Sequence, residues 1–221
     1  MARALIVGNT GGIGSAVEAA LAARGTATVG LSRQASGLDL TDPPSVERAL
    51  AALAPPFDLV FVATGKLNGA GRRPEKAIAE VTPEALEDQF RVNAVGPMIV
   101  LQHALRLLPR DTPSVFAVLS ARVGSIGDNR MGGWHSYRAA KAAVNMLIHG
   151  AAQELKRTHK QTCAVCLHPG TVATPFTAEY AARHKTVPPE IAAQNLLAVI
   201  DGLTPAQTGR FFDYAGKEIP W

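Results

Sequence analysis

Tyr137 and Lys141 stand four apart in Tyr137-Arg138-Ala139-Ala140-Lys141, inside an alanine-rich stretch of helical periodicity, so their side chains share one helix face. A phenol with a reference pKa of about 10 exchanges protons poorly at neutral pH. A neighbouring ammonium stabilises the phenolate and draws that value toward a useful range, and a positively charged nicotinamide would add to the effect. Such pairs also occur on exposed helices without chemistry, so the pair gains meaning only beside a second motif. That motif is Gly8-Asn9-Thr10-Gly11-Gly12-Ile13-Gly14, between the first apolar run and the first helical segment. Glycine there lets the backbone turn, approach a ligand and pack a helix against a strand. The helix N-terminus that opens at this point offers unpaired N–H groups to a pyrophosphate. The spacing is G-x-x-x-G-x-G, and no Gly-Lys-Ser/Thr follows, so it is not a Walker motif. An ordinary strand-to-helix turn also uses glycine; its place at the first strand and helix favours the ligand.

The second apolar run ends in Leu31-Ser32-Arg33. An acidic residue there would suit two free ribose hydroxyls, whereas a cation suits a 2′-phosphate. Arg33 can fork onto a phosphate and Ser32 can add a hydrogen bond, so NADP(H) is preferred with NAD(H) as the alternative. The competing reading of Arg33 is a solvated surface arginine. Asp39-Leu40 follows and can meet the adenine edge, or Asp39 can cap a turn.

The elements that must position these residues alternate. Short apolar runs at Ala4 to Val7, Ala27 to Leu31, Leu59 to Ala63, Val115 to Leu119, Cys163 to Leu167 and Arg210 to Asp213 read as strands. Helical segments run from Gly12 to Arg24, Pro44 to Leu53, Pro83 to Leu108, Trp134 to His159 and Pro189 to Leu203. Strand and helix in alternation predict an α/β fold, one doubly wound parallel sheet with helices on both faces, with its ligand at the carboxyl ends of the strands. Only about ten residues separate Arg33 from Pro44, so the crossover there is short.

At 221 residues, 47% hydrophobic and 18% charged, the chain has the profile of a single globular domain over 1–221. Its net charge of +4 is scattered, which argues against nucleic acid. The apolar start before Gly8 is too short for a signal or membrane segment, and two cysteines cannot staple the chain, so a soluble protein of a reducing, cytoplasmic compartment is expected. Cys163 and Cys166, at i and i+3 on a strand, point to opposite faces and read as core; the six histidines show no metal-ligand spacing.

Together with Arg91-Val92-Asn93-Ala94-Val95-Gly96-Pro97 and His168-Pro169-Gly170-Thr171-Val172-Ala173-Thr174, the two motifs resemble a short-chain dehydrogenase/reductase over nearly the whole chain. Gly124 to Asn129, Gly132 to Arg138 and the ending Ile219-Pro220-Trp221 are similar to the C-factor and sniffer-like carbonyl reductase branch. The resemblance implies a Rossmann fold and hydride transfer between nicotinamide and a small carbonyl or alcohol substrate. It implies Tyr137 as general acid/base, Lys141 on the nicotinamide ribose, and Asn93 holding a water in a proton relay. Gly8, Thr10, Gly12, Ile13 and Gly14 would bind cofactor, with Ala63 and Gly65 near adenine and Pro169, Gly170, Val172 and Thr174 lining the nicotinamide. It also implies a homodimer or homotetramer through the two long helices.

The sequence departs from this pattern at three places. Val7 stands where a threonine usually opens the glycine motif, and Val62-Ala63-Thr64-Gly65 replaces Asn-Asn-Ala-Gly. At Ser120-Ala121 a Ser-Ser pair normally ends in the catalytic serine, so alanine occupies that position. Ser125 or Ser120 could replace the missing hydroxyl, or no donor exists; in the last case the chain could be a dinucleotide-binding regulator with weak or no turnover. The loop from Thr174 to Pro189 carries no group diagnostic of a substrate. Arg72 and Arg73 read as solvent-facing, and Trp134 and His135 as pocket residues or loop packing.

Overall fold

A computed structural model describes residues 1–179 and 185–221, and places six parallel strands in the order β2-β1-β3-β4-β5-β6. They are β1 (Arg3–Val7), β2 (Ala27–Leu31), β3 (Leu59–Val62), β4 (Ser114–Leu119), β5 (Thr162–His168) and β6 (Phe211–Asp213). The main helices are α1 (Gly12–Ala23), α2 (Arg33–Ser36), α3 (Pro43–Ala51), α4 (Pro83–Phe90), α5 (Gly96–Ala104), α6 (His135–Thr158) and α7 (Pro189–Asp201). The alternation along β1 shows why both faces are covered. Leu5 and Val7 join a core with Val46 of α3, Val100 of α5 and Val144 of α6, while Ala4 and Ile6 join one with Val17 of α1 and Leu196 of α7. Each fully buried branched side chain contributes about 1.5–3 kcal/mol, so two-sided burial of the central strands dominates the stability of the sheet. Cys163 lies in the second core and Cys166 in the first, with burial pushing the Cys163 thiol up to about 12.

The chain turns from β1 to β2 on one side and then to β3 on the other, which creates a crevice at the carboxyl ends of β1 and β3. Between β2 and α3 there is only the short α2 and a turn, the short crossover that the spacing predicts, and among the described residues β2 forms the edge of the sheet. Ser32 caps α2 by accepting from Ala35 N at 3.1 Å, and Gly37 ends it in the left-handed region at φ +69°.

The expected single helix from Pro83 to Leu108 is corrected. The helical path continues, but as α4, a π-turn over 91–95, and α5. Pro97 is the cause: it has no N–H to give the Asn93 carbonyl, and its ring would clash with that carbonyl in a regular helix. The extra residue in the turn leaves the Asn93 side chain buried at the sheet's carboxyl end, between the helix and the loop after β3. Among the described residues, no helix is long and apolar enough to cross a membrane.

Candidate active site

The glycine turn sits at the crevice. Gly8 has φ +94°, donates to Leu31 O at 2.7 Å and accepts from Gly11 N at 3.0 Å. A Cβ on Gly14 would lie 2.2 Å from Gly8 O, and one on Gly12 would lie 2.6 Å from Thr174 Cγ2. The Gly14 contact is with backbone and admits no Cβ, so α1 and the turn approach as only glycine allows, while a side chain at Gly12 would have to displace the Thr174 methyl of the loop after β5. Gly11 gives α1 no side-chain cap, and no acidic residue occupies its first turn, which leaves that dipole end directed at the crevice. Two buried acceptors on the rim, Asn9 Oδ1 and Thr64 Oγ1, have no partner among the described residues. A cradle that excludes Cβ atoms, with an uncapped helix start and orphaned polar atoms at its edge, fits a dinucleotide.

Arg33 is exposed after β2 and forms no ion pair among the described residues, while Ser32 is buried beside it. Asp39 Oδ1 accepts from Thr41 N and Thr41 Oγ1, both at 2.8 Å; these bonds and the nearby Arg33 hold its carboxyl below the usual value despite partial burial. The turn-capping alternative for Asp39 is therefore realised on one oxygen. The Leu40 side chain lies in the core, packed where a Cβ on Gly96 would fall, at 2.8 Å, which leaves its backbone for any contact with an adenine edge.

Tyr137 and Lys141 lie in the first two turns of α6, both buried, with Lys141 Nζ 5.8 Å from the centre of the Tyr137 ring. Lys141 Nζ donates to Leu119 O at 2.9 Å, anchoring the ammonium at the end of β4. Burial pushes its pKa down to about 8, slightly offset by the Cys166 thiol. Burial also raises the Tyr137 phenol above its ordinary value. Burial, which removes water from the phenol, is the cause of that rise, and it keeps Tyr137 in its protonated form.

The Asn93 amide grips the Lys66 peptide at both ends, accepting from Lys66 N at 3.0 Å and donating to Lys66 O at 2.8 Å. Gln89, one turn earlier, accepts from Asn93 Nδ2 and donates to Leu67 O at 2.9 Å. The pair fixes the loop after β3, so that a Cβ on Gly65 would lie 3.3 Å from Asn93 Oδ1 and 3.8 Å from Lys141 Nζ. Ala63, Gly65, Asn93 and Lys141 therefore surround one end of the crevice. Across it, Val172 is buried and pairs with Val187, Pro169 leads into Gly170 at φ +78°, and Thr174 touches the glycine turn. Within the 174–189 loop, residues 180–184 lie outside the described residues.

Both candidate serines are engaged by protein acceptors. Ser125 is buried, donates to Pro220 O and accepts from Asp128 N at 3.1 Å, which ties its loop to the carboxyl end of the chain. Ser120 is also buried and donates to Asn145 Oδ1 at 2.6 Å. Both hydroxyls donate to protein acceptors, and the half-buried Ala121 brings none.

Phe176 and Glu75 escaped sequence reasoning, whereas Trp134 was read as a pocket residue or loop packing. Phe176 stands 6.4 Å from Tyr137, ring centre to ring centre, and its Cε2 would touch a Cβ on Gly65 at 3.7 Å, so it walls the crevice. Trp134 meets Tyr137 edge-on at 6.2 Å and adopts φ +52°, following Gly132 and Gly133, both at φ +65°. A left-handed bulky residue costs about 1–3 kcal/mol and persists only where its surroundings hold it. Glu75, buried in the loop after β3, accepts from Ser136 Oγ and from Ser136 N at 3.2 Å. Burial pushes its carboxyl up, but the bonds from Ser136 and the nearby His135 more than reverse this, so it stays ionised. Trp134, His135 and the Gly132-Gly133 pair were the visible signals of this corner.

A glycine cradle at a parallel-sheet switch point beside a buried tyrosine and lysine defines a dinucleotide-binding α/β protein. Comparison sharpens this. The family model described as short chain dehydrogenase matches residues 35–185. A 1-hydroxy-2-glutathionyl-2-methyl-3-butene dehydrogenase from Rhodococcus sp. (strain AD45) is 34% identical over 188 residues, covering 84% of this chain and 79% of that protein. The C-signal protein of Myxococcus xanthus is 37% identical over 145 residues, 66% of this chain and 84% of its own length. A Burkholderia multivorans short-chain dehydrogenase/reductase with bound NADP aligns at TM-score 0.83 and 27% identity, covering 100% of this chain and 99% of that one. The carbonyl reductase Sniffer of D. melanogaster, at TM-score 0.85, 21% identity and 100% coverage of both chains, shares the fold. The chain belongs to the short-chain dehydrogenase family.

Proposed function

We propose that the protein is an NADP(H)-dependent oxidoreductase exchanging a hydride between nicotinamide and a carbonyl or secondary alcohol. The observation that carries this reading is a buried Tyr137 with the Lys141 ammonium 5.8 Å from its ring, at the end of a glycine cradle no side chain can enter. When bound, the cofactor supplies the hydride. The first turn of α1, with Thr10, Gly12 and Ile13, holds the pyrophosphate, and Arg33 with Ser32 takes the 2′-phosphate. One Lys141 N–H is spent on Leu119 O, leaving others for the ribose hydroxyls. Pro169, Gly170, Val172 and Thr174 form the nicotinamide wall. Tyr137 Oη, kept protonated by burial, delivers its proton to the substrate oxygen in reduction and takes it back in oxidation. The Asn93 carbonyl, denied an N–H from Pro97, can hold a water that refills the tyrosine.

Bound NADP in the Burkholderia neighbour supports the cofactor, and the dehydrogenase name of the Rhodococcus relative supports the reaction class. A second reading, a dinucleotide-binding regulator with weak or no turnover, is favoured by Ala121 and by the engaged hydroxyls of Ser120 and Ser125. The test is loss of nicotinamide absorbance from NADPH with a panel of aldehydes, ketones and quinones. Turnover is expected, with Arg33→Ala raising KM for NADPH about tenfold, the worth of one charged hydrogen bond, and leaving NADH unaffected. Tight NADPH binding with no turnover across the panel would support the regulator instead.

A further inference from the structure

The loop after β3 meets the start of α6 at a corner beside Tyr137. α6 begins without a cap of its own: Trp134, its first flanking residue, forms no side-chain cap hydrogen bond. The acceptor comes from 61 residues away, where the Glu75 carboxylate receives Ser136 N and Ser136 Oγ, while Glu75 O receives Trp134 N. A carboxylate at this end also meets the positive end of the helix dipole. Glu75 is 4% exposed, so the bonds are shielded from water and costly to break. Arg138 locks the same corner from the other side, donating from Nε to Gly133 O at 2.9 Å and from Nη1 to Val123 O at 3.3 Å. Tyr137 is the next residue after Ser136, and Trp134, whose N–H is bonded to Glu75 O, meets its ring edge-on with the indole.

Resting on the proposed reaction, we infer that Glu75 is a positioning residue for Tyr137. Its carboxylate clamps the start of α6 to the loop that also carries Gly65 and the Lys66 peptide, so the phenol and the crevice wall are held as one body. It touches neither substrate nor cofactor; it fixes where the phenol points. Displacement of a reacting group by about 1 Å can cost about 100-fold in rate.

The experiment compares Glu75→Ala with Glu75→Gln, which keeps an acceptor for Ser136 N and loses the charge. Steady-state kinetics, NADPH affinity and thermal unfolding are measured, with Trp134 emission read in a Trp221→Phe background. Glu75→Ala is expected to lower kcat by about 10- to 100-fold with NADPH affinity within about twofold of the parent, and to shift Trp134 emission. Glu75→Gln is expected to recover kcat to within about fivefold and restore the emission. Parental kcat in Glu75→Ala overturns the inference. So does equal loss in both variants, or a kcat loss matched by weaker NADPH binding, since either would mark a general defect of folding. An unshifted Trp134 emission also overturns it. If the parent enzyme turns nothing over, the proposed reaction fails by itself, while the emission still reports whether Glu75 holds the corner.

Discussion

Tyr137→Phe is expected to lower kcat for carbonyl reduction by about 100- to 10,000-fold, the range a positioned general acid contributes, while NADPH affinity stays within a few-fold of wild type. The separation follows from the geometry. The ring is buried between Trp134 and Phe176, and phenylalanine keeps those contacts. Among the described residues the hydroxyl makes no hydrogen bond, so its removal should leave the fold undisturbed and thermal unfolding nearly unchanged. Lys141 remains on Leu119 O and can still receive the ribose. Steady-state kinetics beside direct titration of NADPH provide the check. A variant that binds poorly or unfolds early would mean that the tyrosine is structural.

The second large effect runs the other way. Ala121→Ser is expected to raise kcat by about 100-fold, because one donor to a developing oxyanion is worth about 100- to 1,000-fold in turnover. β4 ends at Leu119, whose carbonyl holds Lys141, and Ser120 directs its hydroxyl to Asn145 under α6. Extended backbone continues at Ala121, with φ −147° and ψ 143°, so alternation turns the next side chain away from Asn145. A serine there would add a hydroxyl without displacing a packed group, because Ala121 is only half-buried. The measurement is kcat for wild type and Ala121→Ser on the best carbonyl of the panel. An unchanged value would show that another group already donates to the substrate oxygen.

The sheet was legible because its central strands are buried on both faces and read as unbroken apolar runs, as Leu59–Val62 does. The glycine turn and the Tyr137–Lys141 pair were legible because their spacing is local. What failed is long-range. The engagement of Ser120 by Asn145 and of Ser125 by Pro220 O depends on where distant elements pack, and no spacing rule gives the direction of a hydroxyl. That the Leu40 side chain fills the gap Gly96 leaves on α5 was likewise beyond local spacing, because the two residues lie 56 apart in sequence. Glu75 was passed over because its partner Ser136 lies 61 residues along the chain. The π-turn was half visible, since Pro97 inside a helical stretch signals a break; sequence alone does not say that the chain absorbs it by one added residue and carries on.

Transfer of deuterium from NADPH labelled at the nicotinamide C4 tests the central claim most directly. The labelled cofactor is incubated with the enzyme and an aldehyde or ketone, and the alcohol product is weighed by mass spectrometry. The account predicts one deuterium on the carbinol carbon from one face of the nicotinamide, formed at a rate that falls with Tyr137→Phe. Labelled NADPH that binds tightly yet keeps its deuterium with every carbonyl offered would contradict it.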